Sequence, residues 1–177
     1  SWVAGANVFE GDAESDFDLR IGPVGGGQLT LSSGHGFYDN TSYGIFGSLD
    51  YELNDRWTLT VGGRYTYEDK ENSLEASSIA VLTLSPTPAS DGESWNEFTP
   101  KVTLTYNLDN GIVYGTFASG FKSGGFNHPL RVGAVIQPET IDMIELGYKA
   151  DLTNSVRLTS AFFAYSYKDL QVTKAAS

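Results

Sequence analysis

Residues 95–127 read WNEFTPKVTLTYNLDNGIVYGTFASGFKSGGFN, and the fold turns on how this stretch is parsed. Side chains alternate from Trp95 to Asn107. Phe98, Pro100, Val102, Leu104 and Tyr106 fall on one face, and Glu97, Thr99, Lys101, Thr103 and Thr105 on the other. This is the two-residue period of a β-strand. Asn110-Gly111 then predicts a tight hairpin turn, because both residue types tolerate positive φ. A second strand, Ile112 to Phe121, runs into the glycine-rich exit Gly120 to Asn127. The stretch is a hairpin with an apolar and a polar face, and the expectation is that one meets lipid and the other water.

Composition agrees with an all-β chain. Among 177 residues there are 20 Gly, ten Tyr, ten Phe and three Trp, and no Cys. The absence of cysteine excludes a disulfide framework and a thiolate metal site. A net charge of -11 argues against nucleic acid as a partner. No apolar run of about 18 residues is present, so no helical membrane span is encoded. Barrel strands need only about ten alternating residues each, so a β-barrel membrane protein remains open. Mean hydropathy, -0.21, fits that and a soluble protein equally. Both ends, Ser1-Trp2 and Ala176-Ser177, lead to the expectation of an excerpt from a longer protein.

Working outward from the hairpin, further strands are expected at Trp2 to Glu10, Thr41 to Glu52, Trp57 to Tyr67, Glu139 to Leu152 and Val156 to Val172, about seven in all. On one side of these strands lie Tyr43, Ile45, Leu49 and Tyr51, then Trp57, Leu59, Val61, Tyr65 and Tyr67, then Ile144, Leu146 and Tyr148. Turns near Asn54, Asn110 and Asn154 are minimal. Between them, Gly11 to Asp39, Asp69 to Ser94 and Lys122 to Pro138 read as long loops. Recurrent loops beyond about 12–15 residues are unusual in compact soluble domains. Short turns on one rim and long loops on the other suit an outer-membrane barrel. A Leu-x-Tyr repeat before the turns would set Tyr51, Tyr106 and Tyr148 at one membrane interface, although a cross-strand aromatic cluster in a soluble sandwich is the alternative. Trp57 to Tyr67, ten steps of about 3.3 Å tilted by about 40°, rises about 25 Å, the height of the apolar band in such barrels.

Candidate chemistry is sparse. Asp12, Glu14, Asp16 and Asp18 alternate in the first loop, but Phe17 and Pro23 stand where a calcium loop needs Gly and Glu, so a solvated acidic loop is expected. His35 and His128 lie in different loops without partner ligands, the pattern of surface histidines rather than of metal or haem capture. The glycines at 120–125 precede no helix that could bind phosphate and read as backbone freedom at a strand exit. No nucleophile elbow or other catalytic constellation occurs, and no cofactor is expected. The charges on polar strand faces, Arg64, Lys101, Glu145 and Lys149, are the candidate lumen-facing, ligand-contacting residues. Glu145 and Lys149 are expected to pair with neighbours such as Arg157 or Arg64.

The run Phe98-Thr99-Pro100-Lys101-Val102, Tyr114, and Gly120-Phe121-Lys122-Ser123-Gly124-Gly125-Phe126-Asn127 resembles the barrel of TonB-dependent outer-membrane receptors. So do Pro138-Glu139-Thr140, Glu145-Leu146-Gly147-Tyr148-Lys149 and Phe162 to Gln171, and Thr41 to Tyr67 is similar to the preceding hairpin of that family. The resemblance covers most of residues 41–173. It implies a bacterial outer-membrane receptor of about 22 strands with a plug in its lumen. It also implies uptake of a scarce extracellular ligand, most often a ferric siderophore, with energy from TonB acting through the plug region. Residues 1–177 would then be a partial antiparallel transmembrane β-barrel domain, with short periplasmic turns, long external loops, lipid outside and the plug absent. Two other readings stay open: a small closed outer-membrane barrel with a structural or adhesion role, and a soluble carbohydrate-binding β-sandwich.

Overall fold

The computed structural model describes residues 1–24, 27–78, 89–126 and 135–172. Seven long strands form one antiparallel sheet whose spatial order follows the chain. They are β1 (Trp2–Val24), β2 (Gly27–Glu52), β3 (Trp57–Ser78), β4 (Ala89–Leu108), β5 (Gly111–Lys122), β8 (Glu139–Thr153) and β9 (Val156–Lys168). Between β5 and β8, β6 (Gly125–Phe126) and β7 (Val135–Ile136) pair as a small separate hairpin. Each long strand pairs only with its sequence neighbours, so β1 and β9 are the sheet's two edges. The sheet is open, which removes the small closed barrel.

Register aligns the expected faces across the sheet. Tyr51, Leu59, Leu104, Gly115, Leu146 and Phe162 are successive cross-strand partners. Leu49, Val61, Val102, Phe117 and Ile144 make the row beside them. No second layer covers this surface in the described residues. Ile45 is 62% exposed, Ile144 63% and Phe162 78%, whereas among the described residues the buried apolar side chains are Leu74, Trp95 and Ala150. A soluble sandwich would have spent such a surface on its core, because burying each of these side chains is worth about 1.5–3 kcal/mol. Such an uncovered apolar face is what a membrane-spanning barrel turns outward.

The edges of the apolar band are visible in sequence order. On one side Leu49 and Tyr51, Leu104 and Tyr106, and Leu146 and Tyr148 face outward, and Trp57 pairs with Tyr106 with ring centroids 4.7 Å apart. On the other side Tyr43 and Tyr67 pair, 6.4 Å between centroids. Beyond them the same face turns acidic: Val8 gives way to Glu10, Tyr43 to Asp39, and Tyr67 to Asp69. Aromatics at both borders of an apolar band are the girdles of a membrane-spanning barrel.

Three expectations change. Gly11 to Asp39 is not a loop: β1 and β2 stay paired from Trp2↔Leu49 up to Val24↔Gly27. Asp69 to Ser94 likewise extends β3 to Ser78 and starts β4 at Ala89, with Pro86 and Pro88 outside the described residues. The cause is that these extensions lie beyond the aromatic border, where both faces meet water and the apolar period that reveals a strand disappears. The third concerns the turn. Leu108 pairs with Gly111, so Asp109 and Asn110 form the loop. Among the described non-glycine residues Asp169 alone has positive φ, 55°. Gly111 instead serves close approach, since a Cβ there would strike the Lys149 carbonyl and Ala150.

Candidate functional site on the inner wall

The face opposite the apolar band carries the polar half of each strand, and Arg64, Lys101, Glu145 and Lys149 all lie on it by register. They do not form one cluster. The Arg64 Nε donates to Thr66 Oγ1 at 2.9 Å, and its guanidinium covers Gly44. Lys101, in the next row, is exposed. Lower on the wall, Tyr114 lies across Gly147, and its hydroxyl donates to Glu145 Oε1 at 2.6 Å. The Lys149 ammonium sits 5.2 Å from the Tyr114 ring centroid. Glu145 and Lys149 are thus joined through Tyr114, not through arginines. Arg157 is engaged elsewhere, donating to both Asp151 oxygens at 2.6 and 3.2 Å. Strand geometry explains this: Tyr114 is directly opposite Gly147 and flanked by residues 145 and 149, whereas Arg64 is two strands away from β5.

The best-built polar cluster lies higher and was not among the candidates. Lys70, with a side chain only 11% exposed, donates to Ser123 Oγ at 2.5 Å and to the Gly124 carbonyl at 2.8 Å. Glu68 lies 3.1 Å from the same ammonium and accepts the Ser123 hydroxyl at 2.5 Å. Trp95, paired with Glu68 in register and 7% exposed, lies under the Lys70 ammonium and beside Phe126. Each ammonium proton thus has an acceptor, which is what lets a lysine sit this far from water. The sequence reading ended the strand at Tyr67 and placed Lys70 in the loop Asp69 to Ser94, so the inward, alternating positions of Glu68 and Lys70 on β3 were not visible.

His35 lies on the outward face above the apolar band. Its Nδ1 is 2.6 Å from Asp16 Oδ1, and Glu14 and Glu75 are near. Hydrogen bonding to Asp16, reinforced by those charges, raises its pKa above the ordinary 6.5. It is therefore a paired residue rather than an isolated one, and the acidic row Asp12, Glu14, Asp16 and Asp18 stands on strand β1. His128 is outside the described residues. Among the described residues no group of three or more His, Cys, Asp or Glu could hold a metal ion.

An open antiparallel wall, apolar outside between aromatic borders and polar inside, defines a segment of a transmembrane β-barrel. The comparisons with known proteins give its family. Residues 2–177 match the TonB dependent receptor-like, beta-barrel family, and the chain belongs to it. Among solved structures, the ferric yersiniabactin uptake receptor FyuA from Yersinia pestis matches 97% of this chain with a TM-score of 0.73 at 18% identity. The alcaligin outer membrane receptor FauA from Bordetella pertussis matches 99% with a TM-score of 0.54 at 17% identity. The chain spans 26% and 32% of those receptors' lengths. No curated protein matches. The chain is an outer-membrane barrel segment.

Proposed function

We propose that this chain is part of the wall of a TonB-dependent transporter that takes up a ferric siderophore across the outer membrane. Residues 1–177 are one stretch of the barrel domain, and a plug elsewhere in the parent protein receives energy from TonB. The observation that carries the reading is the two-faced sheet, whose lipid-type exterior backs a polar interior, within a family of TonB-dependent receptors. The likeness to receptors named for ferric yersiniabactin and for alcaligin supports iron chelates as the ligand class. Arg64 and Lys101 on the upper inner wall are the groups this reading assigns to anionic chelates. Glu145 and Lys149, tied through Tyr114, serve the lower wall. No nucleophile or acid–base pair is required, because the task is passage rather than reaction.

The test is uptake of radioactive iron, supplied as a panel of ferric siderophores, by cells with and without the parent gene under iron limitation. Loss of uptake for one chelate, in both the deletion and a TonB-deficient strain, is the expected result. Unchanged uptake for every chelate, with loss of cobalamin, haem or glycan uptake instead, would overturn the ligand class.

A further inference from the structure

Above the aromatic border the outward face of β1–β3 changes from apolar to charged, and its cross-strand rows differ in sign. The row Asp12–Asp39–Glu71 sets three carboxylates directly opposite one another on the three strands. Like charges in that relation push strands apart. Four residues further along each strand, the row Asp16–His35–Glu75 sets an imidazole between two carboxylates. His35 Nδ1 is 2.6 Å from Asp16 Oδ1, and its Nε2 is 3.8 Å from Glu14 Oε2, both on β1. Phe37, the next outward residue of β2, meets the imidazole edge-on with 4.4 Å between centroids. Asp18, beyond Asp16 on β1, is paired with Arg20 at 2.5 Å.

We propose that the extension of β1–β3 beyond the aromatic border is a pH-dependent clasp, in which protonated His35 holds three acidic strand ends together and its deprotonation lets them part. The geometry selects the charged ring. Both ring nitrogens face carboxylate oxygens, and only the imidazolium has an N–H for each; a neutral ring turns a lone pair toward one of them. The protonated ring sets one positive charge between Asp16 of β1 and Glu75 of β3, opposing the repulsion of the Asp12–Asp39–Glu71 row. The hydrogen bond to Asp16, with the charges of Asp16, Glu14 and Glu75, raises the His35 pKa above 6.5. The clasp is therefore complete below that value and is lost as pH rises through the raised one. The strands of the apolar band contain no histidine, so their pairing is indifferent to the same change. Strand ends with water on both faces open locally far more readily than the whole wall unfolds, which leaves room for one proton to shift them.

The test is hydrogen exchange of the full-length receptor in detergent at about pH 5.5 and about pH 8.5, on either side of the ordinary histidine value. Exchange is read as protection factors, which removes the intrinsic effect of pH on amides. Residues 10–18 and 35–41 report the clasp, and residues 57–67, inside the apolar band, are the reference. In the native receptor, protection of the clasp should fall at least about threefold from the lower pH to the higher, with the reference unchanged. His35→Gln, neutral at both pH values, should show the lower protection at both. Heat-modifiable gel mobility confirms that each variant is folded, and should His35→Gln fail to fold, Asp16→Asn should shrink the step. Equal clasp protection at the two pH values in the native receptor overturns the proposal. So does a step of full size in the folded variant, or an equal fall in residues 57–67.

Discussion

Gly111 shows how a residue can be placed correctly for the wrong reason. Its position after Asn110 marks the turn, yet its φ is not positive, and the need for glycine comes from the third strand. Gly111 is paired with Ala150 on β8, and a Cβ would run into the Lys149 carbonyl. Gly111→Val should therefore destabilise the wall by about 1–3 kcal/mol, the cost of overpacking a site that cannot relax. The urea midpoint of the heat-modifiable band measures it. His35 makes a second prediction at this scale. Its pKa is raised in the folded state by the bond to Asp16. The stabilisation is therefore fully present below about pH 6.5, its unfolded value, and is lost as pH rises through the raised one. An NMR titration of the His35 imidazole should give a pKa above 6.5, and Asp16→Asn should lower it. No change on Asp16→Asn would mean that Asp16 is not its partner in solution.

At the scale of the strand, what the sequence reveals depends on the solvent on each side. Within the apolar band the period of two is unmistakable: Trp57, Leu59, Val61, Tyr65 and Tyr67 read directly as the outer face of β3, and their partners on β4 confirm the register. Above the band the same strand continues through Asp69, Glu71 and Glu75 outward and Lys70 and Leu74 inward, with nothing in the pattern to announce it. The same physics hid the Lys70–Glu68–Ser123 cluster, which needs β3 to persist beyond Tyr67 before its parts can meet. Glu145 and Lys149 were visible as residues of the polar face, but their bridge through Tyr114 depends on cross-strand register, which alternation alone does not give. Two-sidedness itself is testable. Val61, midway between Trp57 and Tyr65, faces outward at 46% exposure. Val61→Arg should cost about 2–4 kcal/mol in lipid, the penalty for a cation near the midplane. Lys101→Glu, on the inner face, should stay within about 0.5 kcal/mol, as for a solvated surface site. Equal penalties would contradict the assignment of faces.

For the whole molecule, the open sheet explains why so little is buried. Among the described residues the seven-stranded wall has no second layer, and its edges β1 and β9 leave backbone groups without strand partners. Such edges template aggregation unless neighbouring strands complete them, so this stretch is stable as part of a closed barrel. The two rims differ: two- to four-residue turns near Asn54, Asn110 and Asn154 lie on one, while the β1–β2 hairpin and the β6–β7 pair lie on the other. The chain has no cysteine, so single cysteines report without background from it. The most direct measurement is labelling of His35→Cys and Asn110→Cys receptors on intact cells with a membrane-impermeant maleimide. The account predicts that the cysteine at position 35 labels from outside and that the one at 110 labels only after the outer membrane is permeabilised. Labelling of both on intact cells, or of 110 alone, would contradict it.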